Sequence, residues 1–305
     1  MNKRRHYLWA MLGSMMLVGL TACSGDDDQT DMPDDGVKVR RMTITQTDGA
    51  AARQGLTRAT LTEDDGLTAS WTAGDGLTYC NLSSTNPINE EIYCGALTDA
   101  TTAATSQFTG NVTCRKGDYL AVVYPATSFT GNDSYTITLS GQDGTLSGLA
   151  TNFHYVFGKA TVTSVTDKTA DATMERMKSL LTVCKFSFVD KDGGAVIPIQ
   201  SLVIAYGGSG SDAGTYPQTA TVAIGANTTQ TDVHAMGMVG NTPLTVTCPS
   251  AQDAVFVALL PTSGQRTFNF TVTDGSDNTY TGTAKATLTE GEYVVATGLK
   301  LTKNN

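Results

Sequence analysis

Phe268-Asn269-Phe270-Thr271-Val272-Thr273-Asp274-Gly275-Ser276-Asp277-Asn278 sets an apolar side chain at every second position and then closes on a cluster of turn formers. Successive side chains of an extended strand point to opposite faces, so Phe268, Phe270 and Val272 share one face and reach a core. The Asp-Gly-Ser-Asp-Asn cluster then turns the chain back. The same unit recurs along the chain. Leu67, Ala69 and Trp71 alternate with polar neighbours, as do Leu120, Val122 and Tyr124, then Tyr135, Ile137 and Leu139, then Cys184, Phe186 and Phe188. Turn signals stand between them at Ala73 to Gly76, Ser140 to Gly144 and Asp190 to Gly194. About fifteen short strands at this spacing predict an all-β protein of two antiparallel β-sandwich domains in tandem.

Composition agrees. Thr is the commonest residue, Gly contributes 31, and only 16% of the 305 residues are charged. β-branched and turn-forming residues favour strands joined by tight turns. The length corresponds to about two domains. A single helix is expected, over Asp167 to Leu181, with Met174, Met177 and Leu181 on one side; it places the domain boundary near residue 172. The expected division is 1–22, 23–36, 37–172 and 173–305. Tyr119-Leu-Ala-Val-Val-Tyr-Pro125 and Val255-Phe-Val-Ala-Leu-Leu-Pro261 echo one another across the halves, each an apolar strand ended by a proline.

With 29 acidic against 20 basic residues the formal net charge is −9. Phosphate backbones demand clustered Lys and Arg, so no nucleic-acid partner is expected. Beyond residue 22 the histidines are His154 and His234, and neither has ligand neighbours at metal spacing. Asp190-Lys191-Asp192-Gly193 and Asp274-Gly275-Ser276-Asp277 are fragments of calcium loops that lack the further ligands and read as hairpin turns. Gly207-Gly208-Ser209-Gly210-Ser211 is no nucleophile elbow. No catalytic residue, metal or cofactor is expected. Five cysteines follow Cys23. Cys184 shares a face with two phenylalanines and is a core residue, whereas Cys80 and Cys94 flank a hairpin-like stretch in which a cross-strand disulfide is open.

The amino terminus reads as an address. Lys3, Arg4 and Arg5 precede the apolar run Leu8 to Leu20. At about 1.5 Å per residue that run is too short for a hydrocarbon core of about 30 Å and fits a signal peptide. Leu20-Thr21-Ala22-Cys23 resembles a bacterial lipobox, which implies cleavage between Ala22 and Cys23 and lipidation of Cys23. Several acyl chains on one cysteine hold a protein to an outer membrane where a single chain exchanges. Ser24-Gly25-Asp26-Asp27-Asp28 opens an acidic tether to residue 36. The residues Ser24, Asp26, Asp27 and Asp28 resemble the surface-export signal of Bacteroidota lipoproteins, which implies an outer-membrane lipoprotein exposed at the cell surface.

Leu56-Thr57-Arg58-Ala59-Thr60 followed by Ala69-Ser70-Trp71-Thr72-Ala73-Gly74-Asp75 resembles the opening of the fimbrillin family of Bacteroidota pilus proteins. Phe108-Thr109-Gly110, Val123-Tyr124-Pro125-Ala126 and the apolar run Leu180 to Val189 extend the likeness over most of residues 40–300. The resemblance implies two transthyretin-like β-sandwiches and a pilus subunit of structural, tip or anchor type, active in adhesion. It further implies that a trypsin-like protease cuts after an arginine and removes the lipid with the first strand. An extended segment of another fimbrial subunit then fills the groove. On this reading Val37 to Thr45 is the removable strand, and four or five inward side chains fill its trench. Asp48 to Gly55 is a small-residue loop of the kind proteases cut, with Arg58-Ala59 the preferred bond and Arg53-Gln54 the second. Val37 and Val39 point one way and Met42 and Ile44 the other, so a bulge near Arg40-Arg41 is expected. Tyr293, Val295, Thr297, Leu299 and Leu301 alternate at the carboxyl end; that strand either closes the second sandwich or is itself a donor. The adhesion target is not legible. The alternative is a cell-surface glycan-binding lipoprotein of a nutrient-uptake system, which needs a platform of exposed aromatic rings; beyond the signal peptide, Trp71 is the only tryptophan.

Overall fold

The computed structural model describes residues 36–47, 60–64, 66–71, 74–83, 94–99, 107–127, 129, 134–225, 227–237, 240 and 242–304. In the amino-terminal half the strands are β1 (Lys38–Thr47), β2 (Thr60–Asp64), β3 (Gly66–Ser70), β4 (Gly76–Asn81), β5 (Cys94–Asp99), β6 (Gln107–Cys114), β7 (Tyr119–Tyr124) and β8 (Ser134–Thr138). The helix α1 (Leu146–Asn152) and strands β9 (Val156–Val165), β10 (Thr169–Glu175) and β11 (Lys178–Ser179) complete it. The second half contains β12 (Thr182–Asp190), β13 (Ile199–Tyr206), β14 (Thr219–Ala223), β15 (Ala235–Gly237) and β16 (Leu244–Gln252). It ends with β17 (Val255–Leu259), β18 (Arg266–Asp274), β19 (Thr279–Ala286) and β20 (Tyr293–Lys303). The result is two β-sheet domains in tandem.

Seven strands of the first domain pair in the order β1-β6-β5-β4-β7-β9-β10, and β10 returns to β1. The ring is closed. Its core is a single cluster that includes Met42, Ile44, Trp71, Phe108, Val122 and Met174. β7 is buried on both faces: Leu120, Val122 and Tyr124 point into the ring, while Ala121 and Val123 face the second domain. A strand covered on two sides reads as a continuous apolar run, which is why Tyr119 to Tyr124 is so uniformly hydrophobic.

The second domain repeats this topology. Taken in chain order, β12, β13, β16, β17, β18, β19 and β20 occupy the places of β1, β4, β5, β6, β7, β9 and β10, and pair as β16-β13-β18-β19-β20-β12-β17. β1 runs parallel to β10 and antiparallel to β6; β12 runs parallel to β20 and antiparallel to β17. The echo between Tyr119–Pro125 and Val255–Pro261 therefore links strands that are not equivalent, since the counterpart of β7 is β18. Both are doubly covered strands, and burial rather than position makes them alike.

One joint of the second ring, between β16 and β17, is filled by the first domain. The Thr247 N–H donates to Gln142 O (3.2 Å) and the Phe256 N–H to Gly144 O (2.9 Å). The Gln142 amide accepts from Ala258 N–H (2.7 Å) and donates to Ala258 O and Leu139 O (both 3.0 Å). β8 also pairs antiparallel with β14. The domains are thus joined by backbone ladders as well as by apolar contact.

The helix expected over Asp167 to Leu181 is not formed. Ala170, Ala172 and Met174 are buried and alternate with polar residues, so the segment is β10 and β11. Spacing of Met174, Met177 and Leu181 mimicked a helical stripe, but the alanines carry the shorter period. Residue 172 lies inside β10, and the sheets change between β11 and β12 because Met174 and Met177 still pack into the first core. The helix that does form, α1, begins at Thr145, whose hydroxyl accepts from the Gly148 N–H (2.9 Å) while Asp143 accepts from the Thr145 N–H (2.8 Å). That capping pattern starts at Asp143, within the stretch read as a turn, and runs past its end at Gly144.

Replacing Gln142 with Ala should lower stability by roughly 2–3 kcal/mol, because it strands the buried N–H and C=O of Ala258. Equilibrium urea unfolding measures the loss.

Candidate functional site

β1 is the strand on which the functional expectations converge. It lies between β6, over Lys38↔Cys114 to Thr45↔Gln107, and β10, over Arg41↔Thr169 to Thr47↔Glu175. Neither register shifts, so the expected bulge near Arg40-Arg41 is absent. The reason is that Arg40 itself takes an inward place. Arg40, Met42, Ile44 and Gln46 alternate inward at 1%, 0%, 0% and 1% exposure, and Val37 and Val39 are exposed. The trench is therefore filled by four side chains, of which only the middle two are apolar.

The two polar ends differ. The Arg40 guanidinium donates from Nε to Thr166 O (2.7 Å) and from Nη1 to Gly36 O (3.0 Å) and Cys114 O. A buried cation is tolerated when its donors are met in this way. Lys38 adds an exposed ion pair with Asp167 (2.8 Å), which contributes little. At the other end Gln46 is buried, and neither Oε1 nor Nε2 has a hydrogen-bond partner. An amide left so costs about 1–3 kcal/mol.

The middle of the trench explains two of the sequence motifs. Ile44 stands opposite Phe108 and Met42 opposite Gly110. Trp71 packs edge-on against Phe108 (4.9 Å between centroids) and Tyr124 (5.5 Å). Trp71 is 1% exposed, so it offers no ring to a sugar. A Cβ on Gly110 would meet Ala96 O at 2.6 Å and Leu97 Cδ2 at 2.9 Å, so the glycine is needed for β5 to cross β6.

The hairpin of β2 and β3 follows β1 in the chain and is fastened to the second domain. The Glu63 carboxylate accepts from Lys185 Nζ on β12 (2.7 and 2.8 Å) and from the Tyr293 hydroxyl on β20 (2.6 Å). The hydrogen bond from Lys185, followed by that from Tyr293, holds the Glu63 carboxyl below the usual carboxylate range. Leu61 beside it is buried.

Ala22, Cys23, Ser24, Asp26, Asp27 and Asp28, the expected signal, lipidation and export residues, lie outside the described residues, as do Arg53, Arg58 and Ala59. Cys80 and Cys94 stand directly opposite one another on β4 and β5 as thiols not joined in a disulfide. Contact with Cys94, then burial, raises the Cys80 thiol. His154 is buried, whereas His234 shares Glu290 Oε2 with Lys178 (2.9 Å each). Asp274 accepts from the Ser276 and Asn278 N–H groups (2.8 and 2.9 Å) and from Asn278 Nδ2 (2.8 Å), so its carboxylate is consumed by the turn. Among the described residues no group of three His, Cys, Asp or Glu side chains is placed to hold a metal ion. A cleft of about 590 Å³ beside the Gly207–Ser211 loop is lined by Tyr206, Asp212 and Arg266. There Arg266 covers the Tyr206 ring at 4.3 Å and pairs with Asp212.

At the carboxyl end the expected alternation of Tyr293, Val295, Thr297, Leu299 and Leu301 is broken. Gly298 at φ +66° carries a bulge, and Val295 is 54% exposed while Leu301 is buried. β20 runs along β12 and is in ladder register with β19 at Thr302 and Lys303.

No family model matches the chain, and no curated protein matches it. A solved structure of a candidate cell adhesion protein from Bacteroides uniformis has the same fold at a TM-score of 0.51 and 15% identity, covering 84% of this chain and 98% of that one. A second candidate cell adhesion protein, from Bacteroides fragilis, aligns at a TM-score of 0.45 and 9% identity over 87% of this chain and 97% of that one. A shaft pilin from Lactobacillus rhamnosus aligns at 0.33 and 10% identity, over 88% and 98%.

Ile44→Ala should cost about 2–5 kcal/mol in urea unfolding, as expected for a core isoleucine with no room to collapse. Because the folded Glu63 carboxyl sits below its unfolded value, its contribution is complete above the unfolded pKa and lost as pH falls through the folded one. Glu63→Gln should therefore be less stable than wild type at pH 7, with the gap closing in strong acid.

Proposed function

We propose that the chain is the precursor of a surface-exposed lipoprotein of the fimbrillin type, serving as a structural, tip or anchor subunit of a pilus and acting in adhesion. Lipidation at Cys23 holds it to the outer membrane, and Ser24 with the acidic run Asp26 to Asp28 directs it outward. Its two domains, read from the sequence as 37–172 and 173–305 and parted in the fold between β11 and β12, are of the transthyretin-like kind. A protease that cuts after Arg58 or Arg53 frees β1 together with the lipid, and an extended segment of another subunit takes its place.

The observation that carries this reading is the position of β1. It pairs along both edges and fills the ring's core, yet its covalent route to the rest of the domain is the segment 48–59 alone. One cut there converts an integral strand into a bound peptide. Removing the peptide exposes two rows of backbone N–H and C=O groups, on β6 and β10, and a trench floored by Phe108 and Met174. An added strand restores both ladder and core. The Glu63 clasp on Lys185 and Tyr293 supports the scheme too, since it would keep the new amino terminus near Ala59 fastened after the cut. The fold shared with a candidate cell adhesion protein agrees with it.

Trypsin added to the folded protein should give a stable core beginning at Ala59 or Gln54, with the β1 peptide still bound in native buffer and released only in denaturant. Arg40 and Arg41 should resist while β1 is in place, because the strand is laddered on both sides. Amino-terminal sequencing and size-exclusion chromatography read the result. Protection of both bonds at 53–54 and 58–59 would count against maturation and favour a permanently lipidated subunit.

A further inference from the structure

We infer that β1 is a provisional occupant of its groove, mismatched at Gln46. The groove's better ligand is an extended segment of another polypeptide, running in the direction of β1, with a basic side chain at the Arg40 place and apolar ones at the Met42, Ile44 and Gln46 places. The exchange of one strand for another rests on the proposed function; the mismatch does not.

The molecule supplies its own comparison. β12 holds the same topological place in the second domain as β1 in the first, parallel to the last strand and antiparallel to the third of the ring's remaining strands. Its inward residues are Thr182, Cys184, Phe186 and Phe188, all buried. Thr182, the polar one, donates its hydroxyl to Thr289 O at 2.7 Å. β12 thus leaves no inward polar atom unmet, and apolar side chains fill its far end. β1 differs at that far end. Gln46 stands opposite Met174 and one inward place beyond Ile44, and both of its amide atoms lack a partner.

The mismatch has a direction. At the Arg40 end, three carbonyls receive the guanidinium, and two of them, Thr166 O and Cys114 O, belong to the groove and not to β1. A ligand without a donor there would take a hydrogen bond from both, and at the buried Cys114 O that loss is costly. At the Gln46 end nothing polar holds the side chain. Local opening is cheapest where fewest interactions are lost, so β1 frays from Gln46 toward Arg40. That is the end joined to segment 48–59, and a cut in the segment frees it. A competing strand gains its footing at the Gln46 place and displaces β1 progressively toward Arg40.

Two experiments on the full chain separate the mismatch from the exchange. In the intact protein, amide hydrogen exchange at Ile44–Thr47 should be at least tenfold faster than at Arg40–Met42. Gln46→Leu, or the near-isosteric Gln46→Met should the first fail to fold, should slow exchange at Ile44–Thr47 at least tenfold. Equal protection at both ends, or no slowing in either variant, overturns the inference. In the trypsin-nicked protein, fluorescein-labelled peptides of sequence Lys38–Thr47 compete for the groove. The Gln46→Leu peptide should bind at least tenfold tighter than the wild-type peptide, and the Arg40→Leu peptide at least tenfold weaker. A Gln46→Leu peptide no tighter than wild type also overturns it. Should the intact-chain results hold while no peptide enters the nicked protein, the mismatch stands and the strand-exchange reading falls.

Discussion

Ring closure by β1 is the constraint on which the first domain depends. A strand inside a closed ring has no free edge, so every ladder group on β6 and β10 that faces β1 is met only while β1 is present. The core obeys the same condition, because Met42 and Ile44 belong to one buried cluster with Phe108 and Trp71. Hydrogen bonding and apolar burial are therefore tied to one ten-residue segment. That segment also joins the rest of the ring in the chain through one end only, residues 48–59. Stability and exchangeability are set by the same strand.

The second domain shows how the same topology behaves when it is made permanent. β12 continues into the chain at both ends, and its inward face is almost wholly apolar. The joint between β16 and β17, which in the first domain is a direct pairing of β5 with β6, is closed instead by Gln142 and Gly144. A glutamine side chain reproduces both halves of a peptide ladder there, donating to and accepting from Ala258. Among the described residues two glutamines are thus buried with opposite consequences: Gln142 is met and joins the domains, whereas Gln46 is unmet and loosens a strand. Burial of an amide stabilises or destabilises according to its partners alone.

β12 and β18 were legible because their period of two is uninterrupted; Phe268, Phe270 and Val272, or Cys184, Phe186 and Phe188, cannot share a face in any other regular structure. The turns were legible as well, since Asp274 serves the backbone two and four residues on. Where reading failed, a second force overrode the local pattern. Met174, Met177 and Leu181 fall at helical spacing, but β1 and β9 recruit Ala170, Ala172 and Met174 into a ladder. Arg40 breaks the apolar alternation of β1, yet it is buried in register because three carbonyls converge on it. Val295 alternates correctly and is still exposed, since the bulge at Gly298 changes the phase of β20.

Sequence alone determined that this chain is built of short strands, that the Trp71 segment packs inward and that Val37 to Thr45 is extended, because alternation and turn chemistry are local properties. Only the tertiary structure decided that β1 closes a ring, that its ends are unequal and that the two domains share one topology. Those depend on which carbonyls and side chains arrive from strands distant in the chain, and no local pattern encodes that Arg40 is met and Gln46 is not.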